Sequence, residues 1–246
     1  MRNLIILVFT CYSYQLLSQR VADTLINVPL VSVHFAGHMP LGNMAERYGN
    51  NLAIGGHFSL KSIKSWVIGA EGSYFWSRNV KEDVVANLRN DDGFIVDNEG
   101  YPADLRITER GFNAYIVVGR VFPKTGNNPN SGLVTNFGFG YMQHKIKFYD
   151  ANQKIAAVKG DLAKGYDRLS GGLAMNQFIG YLFLSDNRLV NMIAGFEFHE
   201  GFTKSYREYN YDTGKADTQN RIDYLIGFRI GWVLPLYKRT LDFYYN

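Results

Sequence analysis

Apolar and polar positions alternate most clearly over residues 66–76. One parity holds Trp66, Ile68, Ala70, Gly72, Tyr74 and Trp76; the other holds Val67, Gly69, Glu71, Ser73 and Phe75. Side chains of a strand point alternately to its two faces. The stretch therefore predicts a strand with one apolar face bounded by tryptophan and one small-residue face carrying a single carboxylate. Its eleven residues are about what a tilted strand needs to cross a bilayer. Aromatic ends around a smooth apolar middle suit a strand that faces lipid and meets water at both ends.

The same rhythm recurs. Eight strands are predicted, at about 30–40, 51–61, 66–77, 110–122, 132–149, 172–185, 189–211 and 220–234. In the second, Leu52, Ile54, Phe58 and Leu60 oppose Ala53, Gly55, His57 and Ser59. In the fifth, Leu133, Thr135, Phe137, Phe139 and Tyr141 oppose Val134, Asn136, Gly138, Gly140 and His144. The seventh sets Val190, Met192, Ala194, Phe196 and Phe198 against Asn191, Ile193, Gly195, Glu197 and His199; the eighth sets Ile222, Tyr224, Ile226, Phe228, Ile230 and Trp232 against Asp223, Leu225, Gly227, Arg229, Gly231 and Val233. The sixth is apolar on both faces and its parity stays open. In the fourth, Arg120 shares the apolar parity and is expected to snorkel to an interface. Strands seven and eight are expected to run past membrane length.

The connections alternate in length. Those at 62–65, 123–131 and 186–188 are short; those at 41–50, 78–109, 150–171 and 212–219 are longer, and 80–88 suits a short helix. Short turns at one end and long loops at the other are the pattern of an up-and-down membrane barrel, and an even strand count puts both termini at the short-turn end. The fold class expected is all-β, an eight-stranded antiparallel up-and-down transmembrane β-barrel. A soluble barrel also alternates, so the content of the polar faces matters. They carry mainly Gly, Ala, Ser, Asn and His rather than Lys, Glu and Thr, which suits a narrow interior nearly filled by side chains. All three tryptophans, Trp66, Trp76 and Trp232, fall on apolar parities at strand ends. Tyr74 and Tyr224 join them as an expected aromatic girdle.

Composition agrees: 15% aromatic residues, 25 Gly and only 6 Pro in 246 residues. The formal net charge of +4 forms no basic stripe, which argues against nucleic acid as a partner. Residues 1–18 read as a signal peptide, with Arg2 at its start, an apolar run over 4–9, and Leu16 and Ser18 before cleavage at Gln19. A lipoprotein reading through Cys11 is weaker because Thr10 fits poorly. The barrel domain is then 19–246. It contains no cysteine, so disulfides and thiol chemistry are both excluded from the mature chain.

The Ser-Gln signal-peptide ending, the eight-strand rhythm and the girdle resemble the small outer-membrane β-barrel proteins of the OmpA-barrel and OmpX type, most closely those of Bacteroidota. The likeness is architectural and covers nearly the whole mature chain. It implies a non-enzymatic role in the outer membrane of a Gram-negative bacterium: membrane integrity, adhesion, or service as an accessory subunit. The partners it implies are outer-membrane lipid and lipopolysaccharide, the barrel-assembly machinery, and other outer-membrane proteins. One feature departs from the family, whose last strand usually ends on an aromatic residue. Here the eighth strand meets Pro235 and a tail over 236–246 follows, either as a bent continuation or as a periplasmic extension.

Among candidate chemical residues, Glu71, Glu197 and Arg229 fall on inward parities near mid-strand, with Asp223 further out. Isolated charges in a narrow lumen are costly, so the four are expected to pair as an interior plug; a gated pore is the alternative. His34, His38, His57, His144 and His199 also take inward parities. Such a set can hold zinc, but none has ligand-motif spacing, and interior hydrogen bonding is the favoured role. No cofactor and no metal site are expected. Asp91, Asp92, Asp97 and Glu99 lack calcium-loop spacing and read as a solvated acidic loop that could meet lipopolysaccharide through divalent cations. A lipid A-modifying enzyme would need His199 or His144 to meet Ser170 or Ser205 and an acid near the outer surface.

Overall fold

The structure, a computed structural model, describes residues 25–123, 128–152, 154–185 and 190–236. The expected signal peptide and most of the tail lie outside them. Eight antiparallel strands close into a barrel in sequence order: β1 (Val28–Gly42), β2 (Asn51–Lys61), β3 (Trp66–Ser77), β4 (Leu105–Pro123), β5 (Gly132–Asp150), β6 (Ser170–Leu184), β7 (Asn191–Ser205) and β8 (Asn220–Pro235). Closure comes from β1 pairing with β8, from Leu30 opposite Pro235 to Gly42 opposite Asp223. β8 therefore runs through Pro235, and the backbone N–H of Leu236 donates to Pro29 O at 2.9 Å.

β2 and β3 have the expected bounds. β7 ends at Ser205, short of the expected 211, whereas β8 spans the expected 220–234 and one residue more; the longest pair is β4–β5, in register from Leu105 opposite Asp150 to Pro123 opposite Gly132. Arg106 and Glu109 read as part of the connection before the expected fourth strand, yet its alternation extends back through them: Glu109 is buried inside while Arg106, Thr108 and Arg110 stay on the outer parity. Chain 206–219 leaves the sheet early because Arg207 turns to Asp167 and Tyr211 N donates to Gly165 O. A Cβ at Gly165 would stand 2.2 Å from the Tyr211 ring, so only glycine permits that approach.

The first long connection holds a short helix, α1 (Asn43–Arg47), that the sequence reading lacked. The third holds a 3-10 turn, Ala86–Leu88, in place of the expected helix. Both loops fold inward. Met44, Tyr48, Val84, Val85 and Ile95 are buried against Phe75, Met142, Ile146 and Leu225 of the wall, forming an apolar cap over the long-loop mouth. A second apolar cluster, including Val28, Val67, Val121, Leu182 and Val233, fills the short-turn end. The polar lumen residues lie between the two.

On the outside the pattern inverts. Large apolar side chains of all eight strands are exposed, among them Ile116 at 69%, Phe196 at 63% and Leu52 at 58%. In β6 the odd positions, from Leu173 to Phe183, face outward, and Asn176, Phe178 and Leu182 face inward, which fixes the parity left open.

Candidate functional site

The middle of the lumen is organised by Arg229. Its Nη1 donates to Glu71 Oε2 at 2.9 Å, and its Nε lies 3.2 Å from Glu197 Oε2. The guanidinium sits over the Phe178 ring, 4.2 Å from the centroid, so its flat face is covered while its edge meets carboxylates. Glu71 also accepts from Asn176 Nδ2 at 2.6 Å and meets His57 Nδ1 at 3.2 Å. Glu197 Oε1 meets His38 Nε2 at 2.6 Å. The three charged groups come from β3, β7 and β8, and each is less than a tenth exposed.

Asp223 does not belong to this group. It lies six residues before Arg229 on β8, roughly 20 Å along a strand. It instead accepts from Thr203 Oγ1 at 2.5 Å and meets His144 Nε2 at 3.0 Å and Arg47 Nη2 at 3.5 Å. The charges thus form two layers rather than one network. The histidines are likewise distributed. His34 meets Ser73 Oγ at 2.9 Å, His57 serves Glu71, His144 serves Asp223, and His38 and His199 converge on Glu197. Asn51, Tyr115, Asn176 and Arg47 are the partners that sequence reasoning missed. Asn176 sits on the strand whose parity was open, and Arg47 comes from the unforeseen α1.

Neither serine that a lipid A-modifying enzyme would need meets a histidine. Ser170 Oγ donates to Arg168 O at 3.0 Å and Ser205 Oγ to Arg207 O at 3.4 Å. His144 and His199 are buried inside the wall at 1% and 2% exposure, away from any lipid surface. In the acidic loop, Asp97 Oδ1 accepts the backbone N–H groups of Glu99 and Tyr101 at 2.8 and 2.9 Å, a self-contained turn.

The outer wall carries a second candidate site. Trp66 and Trp232 lie towards the short-turn end, and Tyr74, Trp76 and Tyr224 towards the long-loop end. From Trp66 to Trp76 is roughly 33 Å along the strand, which a tilt of about 40° reduces to a height of about 25 Å, the apolar span of a membrane barrel. Arg120 lies 5.7 Å from the Trp66 ring centroid and 5.6 Å from that of Phe122, within the short-turn interface. Directly above Tyr74, Phe112 and Tyr141, the wall of β3–β5 turns basic. Arg110 pairs across strands with Lys145 and with Trp76, Lys147 stands opposite Thr108, and Arg78 and Arg106 flank them. Among the described residues, Arg78, Arg110, Lys145 and Lys147 make no ion pair. They border open grooves of about 420 and 690 Å³.

A closed strand ring, an apolar belt of membrane height and polar groups kept inside leave one solvent for the belt, lipid. The chain is a small eight-stranded transmembrane β-barrel of the outer-membrane kind. No protein-family model matches it, and no curated protein matches its sequence. Among solved structures it is similar to the attachment invasion locus protein Ail of Yersinia pestis, at 9% identity over 85% of this chain and 99% of that one, with a TM-score of 0.45. It is also similar to OprG of Pseudomonas aeruginosa, at 12% identity over 86% and 97% with a TM-score of 0.39. Neisserial surface protein A gives 10% identity over 83% and 96%, with a TM-score of 0.38.

Proposed function

We propose that this barrel is a non-enzymatic outer-membrane protein that anchors the phosphorylated glycolipid of the outer leaflet and so supports membrane integrity. The observation that carries this is the set of unpaired cations Arg78, Arg110, Lys145 and Lys147, set on the outside wall directly above the aromatic belt. Lipid phosphates lie at that depth, and guanidinium and ammonium groups at the edge of an apolar surface bind them by charge and hydrogen bonding. The Arg229 layer is read as a structural plug. A Glu71→Ala barrel is expected to lose heat stability without gaining conductance. The OmpA-barrel and OmpX likeness, assembly by the barrel-assembly machinery, and contacts to other outer-membrane proteins belong to the same reading.

The test is retention of lipopolysaccharide by the purified barrel. Wild type is expected to retain it and to lose it when the lipid A phosphates are removed. Arg110→Gln/Lys145→Gln/Lys147→Gln is expected to release it while remaining heat-modifiable on gels. Equal retention by the folded triple variant would overturn the glycolipid role and leave adhesion or subunit function.

A further inference from the structure

Glu197 divides its two oxygens between different partners. Oε2 faces Arg229, whereas Oε1 faces two imidazoles, with His38 Nε2 at 2.6 Å and His199 Nε2 at 3.7 Å. The two rings meet edge to face, at 89° with centroids 5.3 Å apart. The three ligand atoms lie within 4.8 Å of one another. We propose that His38, Glu197 and His199 form a binding site for a single divalent transition-metal ion, zinc being the chemical type, inside the lumen.

Three observations support this beyond the convergence itself. First, each imidazole is oriented through its far nitrogen: His38 Nδ1 meets Asn51 Oδ1 at 2.9 Å, and His199 Nδ1 meets the Tyr115 hydroxyl at 3.1 Å. Outer partners of this kind fix ring direction and leave Nε2 free to ligate. Second, His199 Nε2 is buried and makes no hydrogen bond among the described residues, although it is aimed at the carboxylate. A metal ion would satisfy it. Third, two carboxylates, Glu71 and Glu197, share the one guanidinium of Arg229, an imbalance that a bound cation would offset. Two histidines and a carboxylate with one position left to water is a set that suits zinc. Glycolipid binding on the outer wall plays no part in this inference.

The competing explanation is a direct hydrogen bond between His38 and Glu197 with no metal present, which would also account for the short contact. Refolding the full chain in detergent with zinc, followed by desalting and elemental analysis, separates the two. About one zinc per folded barrel is expected, together with a higher temperature for loss of the folded band on gels. His199→Gln should abolish retention, and His34→Gln, whose imidazole bonds to Ser73 outside the cluster, should retain it. The wild-type protein decides the matter even if His199→Gln fails to fold. Cobalt bound at the site should give the strong visible bands of a nitrogen-ligated tetrahedral centre. A folded wild type that holds neither zinc nor cobalt, or equal zinc in folded His199→Gln and His34→Gln, would overturn the proposal.

Discussion

Two guanidinium groups of this protein are each held between two carboxylates, and their surroundings differ. Arg229 lies mid-lumen between Glu71 and Glu197, whose side chains are 4% and 3% exposed. Arg168 lies in the loop cap between Glu82 at 2.7 Å and Asp212 at 2.5 Å, which are 28% and 12% exposed. The first triad is assembled by strands, so closure of the sheet fixes its members. The second is assembled by three connections, and water reaches its acids. The same three groups therefore lock the interior in one place and tie down a lid in the other.

The largest expected effect is at Arg229. Arg229→Leu leaves two carboxylates facing each other without a counter-charge, at a cost of about 3–5 kcal/mol. Urea unfolding in lipid vesicles should show it, and adding Glu71→Gln and Glu197→Gln should recover much of the loss. A guanidinium with neither partner nor water comes next. Ile116→Arg points one at the lipid from mid-strand and is expected to cost about 2–4 kcal/mol in the same assay. A neutral result there would place that wall in water. Arg168→Ala should cost about 1–3 kcal/mol, confined to the cap. Proteolysis should then cut the loops faster while the heat-modifiable band persists; loss of that band would show that cap and barrel unfold together.

The smallest effect is a pH dependence in the acidic turn around Asp97. Tyr101 and Glu99 donate their backbone N–H groups to Asp97 and hold its carboxyl below the ordinary range. A lowered carboxyl contributes fully above the unfolded value of about 3.9, and that contribution is lost as pH falls through the folded value. Amide exchange at Tyr101 should therefore rise in acid while Arg229-layer amides stay protected.

Parity explains what could be read in advance. Glu71, Glu197 and Arg229 share a layer because each sits mid-strand on the inward parity, and that follows from counting residues. Asp223 has the same parity but lies six residues from Arg229 on one strand, too far to share its layer, which counting also shows; only the fold reveals its partners, Thr203, His144 and Arg47. The partner of Glu71 on β6, Asn176, was hidden because residues 173–184 are apolar on both faces: Phe178 and Leu182 fill the lumen while Ile179 and Phe183 face lipid. The cap was least legible. Arg47, Glu82, Asp167, Arg168, Arg207 and Asp212 meet across connections with no periodicity, and only the mouth they cover brings them together.

Closure of β1 on β8 also constrains how the molecule can be made. Val31 waits for Leu234, some two hundred positions later, before its main-chain groups are paired on that side. Any nascent barrel lacking β8 exposes two unpaired edges, which water tolerates and hydrocarbon does not. Such a long-range contact also makes ring formation slow on its own. The chain must therefore be kept from lipid until the last strand has been synthesised and delivered, and insertion and closure should proceed as one event. A version cut short before Asn220 should accumulate outside the membrane rather than as a seven-stranded pore.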